Sequence, residues 1–379
     1  MQVYFDNAAT SSPKPRAVMD EMLRVMQECN ANPGRSGHDA AMQAAHCVYR
    51  ARESIARFIH AENSADISFH FNCTDALNLA IKGHLKKGDH AVSTLLEHNS
   101  VLRPLSGMSS RGEISLTLVS PGKDGTVTPE RIRAALRPNT RLIAVTHASN
   151  VTGAVQPVAA IGQLAQELGI PFLIDGAQAL GCMPVNVQRL KCSFYAFPGH
   201  KGLLGPQGSG GLFIQPGMKL KPLLEGGTGT DSDSMLQPDV APECYESGTV
   251  NLPGIAGLKA GVEHVSENLA PIMMHERELC TALYEGIKKL PGSMLYSPSE
   301  EAARSGIVSF NIGDMASSDV ADALARRDIA VRGGLHCAPG AHRYLGTLRR
   351  GAVRASVGHA NSFEEVDFFL KALHEISRA

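Results

Sequence analysis

Near the end of the chain, Val331-Arg-Gly-Gly-Leu-His-Cys-Ala-Pro-Gly340 sets one cysteine in a glycine-flanked turn. Cys337 directly follows His336 and lies five positions after Arg332. Nearby positive charge and a reachable loop both favour the thiolate, the nucleophilic form of cysteine. The spacing predicts a reactive sulfur at Cys337. A second set of residues lies far upstream. Phe172-Leu-Ile-Asp175 ends an apolar run in a carboxylate, and Ser193–Phe197 leads into Pro198-Gly-His-Lys201-Gly. Asn72-Cys73-Thr74-Asp75 stands between a β-like run and an apolar helical stretch, where unpaired N–H groups make an anion site.

A carboxylate, a lysine and a phosphate cradle, all beside strand ends, are what pyridoxal phosphate (PLP) requires. The lysine forms a Schiff base with it, the aspartate keeps its pyridine nitrogen protonated, and the helix end takes its phosphate. The protonated ring then accepts charge left on a substrate Cα.

These side chains need a scaffold that brings strand ends together. From about residue 65, short β-like runs alternate with helix-length amphipathic stretches. Candidate strands are Ile67–Phe71, Ala91–Thr94, Ile114–Val119, Leu142–His147, Pro171–Asp175, Ser193–Phe197 and Gly211–Ile214. Ile161, Leu164, Ala165 and Leu168 share one helix face, with Pro157 placed to start that helix. The pattern predicts an α/β fold with a mostly parallel seven-stranded sheet covered on both faces. Ligands on such sheets collect beyond the carboxyl ends of the strands. After about residue 253 the pattern changes. A long helix near Pro253, a strand at Gly306–Ile312, a helix Ser318–Arg327 capped by Ser317 or Ser318, a strand Val353–Val357 and a final helix from Phe363 make a smaller α+β unit. The expected division is an N-terminal arm (1–15), a large domain (16–252) and a small C-terminal domain (253–379) carrying the cysteine loop. Gly226–Asp233 reads as a mobile loop.

Bulk properties narrow the function. With 379 residues, 43% hydrophobic and a net charge of −1, nothing favours a polyanion such as nucleic acid. No apolar run is long enough to span a membrane, and the start has neither a basic nor an apolar leader region, which predicts a cytoplasmic protein. The eight cysteines show no metal-site spacing, so no metal is expected.

Over essentially its whole length the sequence resembles class V aminotransferase-like, fold-type I PLP enzymes. Within them it is most similar to the second group of cysteine desulfurases and selenocysteine lyases. The matching stretches are Tyr4-Phe-Asp-Asn-Ala-Ala-Thr10, Glu97-His-Asn-Ser100, Ser149-Asn-Val-Thr-Gly-Ala154, Asp175-Gly-Ala-Gln178, Gly199-His-Lys201, Glu246-Ser-Gly-Thr249 and Arg332-Gly-Gly-Leu-His-Cys-Ala338. The resemblance implies Lys201 as Schiff-base lysine and Cα proton carrier, Asp175 on the pyridine N–H, Gln178 on the phenolic oxygen and His98 stacked on the ring. It assigns the phosphate to Thr74, His200 and backbone near Cys73, with Thr249 reaching in from the second subunit of a homodimer. Arg354, helped by Asn150 and the Asn7-Ala8 segment, would clamp the substrate carboxylate, as a bidentate guanidinium suits. Arg332 would also meet substrate.

The implied reaction takes sulfur from L-cysteine, leaves L-alanine and puts a persulfide on Cys337 for an acceptor protein or small thiol. A selenocysteine lyase, or another PLP transaminase or β-lyase, shares the same fold and cofactor. Blander readings stand beside several residues. His98 is also readable as a helix cap, Arg354 as a surface residue, Asn150 as a turn former, and His336 and Arg332 as supports of the cysteine loop. Arg35 and His38 are polar loop residues that either line the site or do not. One departure stands out. The family often has Ser or Thr where this chain has Pro198, so phosphate grip would fall on Thr74, His200 and backbone. Asp75, beside that phosphate, would have to point away.

Overall fold

The computed structural model describes residues 1–29, 31–34 and 37–378. Its main sheet has seven strands in the order Ile67–His70, Gly210–Ile214, Phe194–Pro198, Phe172–Asp175, Thr140–Thr146, His90–Thr94 and Ser115–Val119. Neighbours run parallel except Gly210–Ile214, which is antiparallel to the strand on either side. Phe172, Leu173, Ile174, Phe194, Tyr195 and Ala196 are fully buried. Continuous apolar runs of this kind belong to strands covered on both faces. All seven strands fall within a residue or two of their sequence-based positions.

A second, antiparallel sheet has the order Arg332–Gly334, Ala352–Ser356, Ile307–Ile312 and Ser293–Leu295. Val3–Tyr4 pairs in parallel with Ile329–Ala330, so the N-terminal arm lies beside this sheet. Val3 and Phe5 join its core. The helix Leu252–Lys288 runs between the two cores. Leu252, Ile255, Leu258 and Val262 pack under the large sheet, whereas Leu279, Leu283 and Ile287 pack with the small one.

Some local expectations differ. The helix Ser317–Ala325 has Ala316 at its N-cap with no side-chain cap, because Ser317 Oγ donates to Arg350 O at 2.6 Å. Pro157 is the N-cap residue of Val158–Glu167 rather than its first helical residue, and Leu168 lies past the helix, 42% exposed. His38 is an exposed N-cap whose Nδ1 accepts from Ala41 N–H, while Arg35 lies outside the described residues. Among the described residues no helix is long and apolar enough to cross a membrane, and no cluster of ligating side chains is placed to hold a metal ion.

Candidate active site

Asp175 closes the central strand of the large sheet. Its Oδ1 accepts from Ala177 N–H at 3.0 Å and lies 3.5 Å from Cys73 Sγ. Lys201 follows the neighbouring strand in a loop that Gly202 allows to pack closely. A Cβ at Gly202 would lie 2.5 Å from Leu180 O and 2.8 Å from Cys182 Sγ. The N-terminal arm grips the same loop, since Thr10 Oγ1, Ser11 Oγ and Lys14 Nζ all donate to His200 O. Burial lowers the Lys201 amine below its ordinary value, opposed by Asp175. A desolvated lysine is held closer to its neutral, basic form.

Cys73 begins the helix Cys73–His84, with Asn72 as N-cap accepting from Asp75 N–H at 3.0 Å. The N–H groups of Cys73 and Thr74 therefore have no partner within the helix. Asp75 turns to His70 Nδ1, 3.3 Å away, and off the cavity that Thr74 lines. His98 serves as both cap and site residue. It is the N-cap of Asn99–Ser110, its Nδ1 accepting from Ser100 N–H at 3.1 Å, and it lines the cavity holding Lys201. An Nδ1 that accepts is unprotonated, so Ser100 Oγ–H points to it at 2.9 Å and Thr74 Oγ1–H in turn points to Ser100 Oγ at 2.7 Å. Burial lowers the His98 imidazole too, which keeps the ring neutral. Ser100, at the end of the Glu97–Ser100 stretch, has no role legible in the sequence. Its hydroxyl becomes visible only once the helix turn places it between Thr74 and His98.

On the small-sheet side, Arg354 is 1% exposed, which excludes a surface role. Its Nη1 donates to Asn150 O at 2.9 Å and its Nη2 to Asp6 Oδ1 at 2.8 Å. Arg332 stands directly opposite Arg354 across the two strands, and both line the cavity. Like charges paired on one face repel. A pair of arginines, Arg354 buried and Arg332 half-buried, beside a single aspartate is a ready site for an anion.

Ala8, Cys73, Thr74, His98, Asn150, Asp175, Gln178, His200, Lys201, Arg332 and Arg354 thus converge on one cavity of about 790 Å³, open mouth included. Gln178 is held there by donating to Ala8 O at 3.0 Å. Two buried atoms on that lining, His200 Nδ1 and Arg354 Nε, have no partner among the described residues. Two expected residues are elsewhere. Asn7 Nδ2 is taken by Tyr4 O, Ser356 O and Asn361 Oδ1, so Asn7 braces the arm instead of facing the cavity. Thr249 is exposed and lines a different surface cavity, while Glu246 anchors its segment through Arg52 at 2.5 Å and Phe69 N–H at 2.6 Å.

Cys337 is exposed, its sulfur 3.7 Å from Arg332 Nη2. His336 and Cys337 both have positive φ, 49° and 56°, an uncommon region for residues with side chains. Their carbonyls are gripped from two sides. Asn150 Nδ2 donates to His336 O at 2.6 Å, and Asn99 N–H to Cys337 O at 2.7 Å. His336 does not supply the expected positive charge. Its Nε2 must donate to Arg332 O at 3.1 Å, its Nδ1 accepts from His342 Nε2, and His342 Nδ1 accepts from Thr347 Oγ1. Burial lowers His336 to about 3, so it is neutral and the cation beside the sulfur is Arg332.

Behind Lys201 lies a further cavity lined by Gln178, Cys182, Glu276 and His359. Burial pushes the Glu276 carboxyl up to about 8. Sequence reasoning gave no role to Glu276, Asp6 or the buried Glu97, whose Oε1 accepts from Thr94 Oγ1 and Thr146 N–H. Only proximity in the folded chain distinguishes these carboxylates from surface ones.

A mostly parallel-sheet α/β fold with an aspartate, a desolvated lysine and an anion cradle at its strand ends defines the class of protein, and comparison with known proteins agrees. Residues 3–369 match the aminotransferase class-V family, and the chain belongs to that family. A probable cysteine desulfurase of Methanothermobacter thermautotrophicus is 36% identical over 384 residues, spanning 99% of this chain and 94% of that protein. The cysteine desulfurase of Yersinia pestis is 33% identical, over 99% of this chain and 93% of its own length. The apo structure of a cysteine desulfurase from Thermococcus onnurineus NA1 matches with a TM-score of 0.93 at 34% identity, covering 100% of this chain and 95% of that one. The Escherichia coli cysteine desulfurase CsdA, solved in an S-sulfonic acid form, gives a TM-score of 0.87 at 27% identity, covering 99% and 94%. The fold is that of fold-type I PLP enzymes.

Proposed function

We propose that the protein is a PLP-dependent cysteine desulfurase that converts L-cysteine to L-alanine and carries the sulfur as a persulfide on Cys337. The carrying observation is Arg332, which lines the Lys201 cavity and stands 3.7 Å from the Cys337 sulfur. One guanidinium thereby links the anion site to a nucleophile at the cavity's edge.

The residues present fit PLP. Partnerless His200 Nδ1, the free N–H groups of Cys73 and Thr74, and the Thr74 hydroxyl, turned from Ser100 Oγ, would hold its phosphate. Asp175 would hold the pyridine proton, Gln178 the phenolic oxygen, and the neutral His98 ring the cofactor's face. When bound, PLP supplies an electron sink for the carbanion at the substrate Cα. Arg354 and Arg332 bind the substrate carboxylate, with Asp6 and Asn150 O fixing the Arg354 fork. Lys201 Nζ, held nearer its unprotonated form by burial, takes the Cα proton. The Cys337 thiolate attacks the substrate sulfur. An S–S bond forms, the Cβ–S bond breaks with its electron pair left on carbon, and a proton completes alanine.

The active unit is a homodimer, because Thr249 lies outside its own chain's cavity and is free to meet another's. The arm (1–15), large domain (16–252) and small domain (253–379) act as three working parts, the last bringing Arg332, Cys337 and Arg354. A reducing cytoplasm suits eight free cysteines, one of them exposed at the site. The test is to supply the purified holoprotein with L-cysteine, measure alanine, and locate labelled sulfur by peptide mapping. Equimolar alanine and sulfur on Cys337 are expected. Alanine with free sulfide, and no labelled peptide even before any thiol is added, would overturn the persulfide route.

A further inference from the structure

The Cys337 thiol opens into a second cavity of about 890 Å³, open mouth included, which shares Thr74, His98 and Ser100 with the Lys201 cavity as a common wall. Its lining is basic. Lys82, Arg103 and Arg111 contribute charge, Asn78 and Asn99 contribute amides, and no carboxylate lines it. Arg111 shares its charge with Glu113, 2.6 Å away, whereas Lys82 and Arg103 are exposed and form no ion pair among the described residues. Nothing in the substrate chemistry requires these cations, because the amino acid's carboxylate is already met by Arg354 and Arg332. The bowl is concave and of a size typical for small-molecule sites. Cys337 is the one thiol among its lining residues.

We propose that this bowl receives a small anionic thiol, bearing carboxylate or phosphate groups, as the acceptor of sulfur from Cys337. The proposal rests on the desulfurase reading and names the partner of that site. The acceptor loses its thiol proton to solvent, and its thiolate attacks the outer sulfur of the Cys337 persulfide. A new S–S bond forms on the acceptor, the bond to Cys337 breaks, and its electron pair leaves as the Cys337 thiolate. Sulfur remains at the same oxidation level, so no further oxidant or reductant takes part. Lys82 and Arg103 act by attracting the acceptor's anionic groups, an effect that salt screens.

The experiment loads the holoenzyme with labelled sulfur from L-cysteine, removes free substrate, and follows transfer to three thiols. Mercaptosuccinate is anionic, 2-mercaptoethanol neutral and cysteamine cationic, and rates are compared per thiolate. The expected order is anionic, then neutral, then cationic, with about tenfold or more between the extremes at low ionic strength. The spread should shrink in about 0.5 M salt. A double variant, Lys82→Glu with Arg103→Glu, should erase or invert the order while leaving alanine yield in the loading turnover unchanged, which also shows that it folds. Equal rates for the anionic and neutral thiols overturn the proposal, as does an order that survives the double variant. A loaded persulfide inert to all three thiols overturns it in favour of a protein acceptor. Failure to load sulfur on Cys337 at all refutes the desulfurase reading instead.

Discussion

Lys201 and Cys337 are the two nucleophiles of the site, and they occupy opposite surroundings. Lys201 sits in a half-buried loop at the end of a sheet strand, clamped through His200 O by three residues of the arm. Cys337 is exposed on a left-handed turn, held by hydrogen bonds to its own and its neighbour's carbonyl. The difference follows from what each must do. An amine becomes a base near neutral pH when burial removes its water. A sulfur carrier has to be reached first by substrate and then by acceptor, so burial would defeat it. Strain at Cys337 fixes the thiol's direction without enclosing it.

The largest effects should come from removing each nucleophile, and they should differ in kind. Lys201→Ala and Cys337→Ala should each lower cysteine turnover by about 10³-fold or more. Only the lysine variant should lose the cofactor's borohydride-sensitive covalent attachment. Cys337→Ala should keep the wild-type visible spectrum, since no cofactor contact is lost. Selenocysteine cleavage should survive better in the cysteine variant, because the C–Se bond is weaker and selenium leaves more readily. Sulfide release from cysteine at the wild-type rate by Cys337→Ala would show an eliminating lyase.

Arg354 separates the anion site from both nucleophiles. Arg354→Lys keeps the charge but cannot hold Asn150 O, Asp6 and a carboxylate with one planar fork. A loss of about 2 kcal/mol, roughly 30-fold in kcat/KM and mostly in KM, is expected for a hydrogen bond between charged groups. If KM stays unchanged, the carboxylate is bound elsewhere.

The two regions also differ in how far their sequence reveals them. Around Lys201 the positions follow from chain pattern, since an apolar run ending in Asp175 and another entering Gly199-His-Lys201 must end side by side in a parallel sheet. The small-sheet side was less legible. Arg332–Gly334 contains two glycines and no apolar residue, so nothing in it reads as a strand, yet it pairs with Ala352–Ser356 and sets Arg332 opposite Arg354. His336 looked like a cation because sequence shows adjacency and not burial, and its neutral relay to His342 and Thr347 depends on both. The misplacement of Asn7 has the same origin. The resemblance assigns this polar residue to substrate, but Tyr4 O of the arm and Ser356 O and Asn361 Oδ1 of the small domain claim its amide first.

A subtler perturbation tests the hold on the cysteine loop. Asn150→Ala removes the donor to His336 O but leaves Lys201, Asp175 and the cysteine in place. The cofactor spectrum should be unchanged while persulfide formation slows about five- to tenfold, the scale of one buried hydrogen bond. Slowing of alanine formation without any change in Cys337 alkylation would instead assign Asn150 to substrate.

The smallest expected effect concerns the dry side alone. Burial holds Glu276, on the cavity behind Lys201, near about 8, and Glu97 likewise near about 8. A carboxyl whose folded value is raised keeps its proton in the folded state after the unfolded chain has lost it. Stability is therefore greatest below the ordinary carboxyl range and falls as pH rises toward the folded value. The histidines lowered by burial, among them His147, His200 and His342 to about 4 and His336 to about 3, act with opposite sign until unfolded histidine has lost its protons at about pH 7.5, and they are common to both proteins. The difference between wild type and a Glu276 variant therefore isolates the carboxyl. Between about pH 6.5 and 8, by denaturant titration, the stability of wild type relative to Glu276→Gln, which cannot ionise, should fall by about 1–2 kcal/mol. Parallel pH profiles for the two proteins would show that water reaches Glu276 and keeps it ionised. The surroundings of Lys201 would then be as wet as those of Cys337, and the contrast between the two nucleophiles would rest on Cys337 alone.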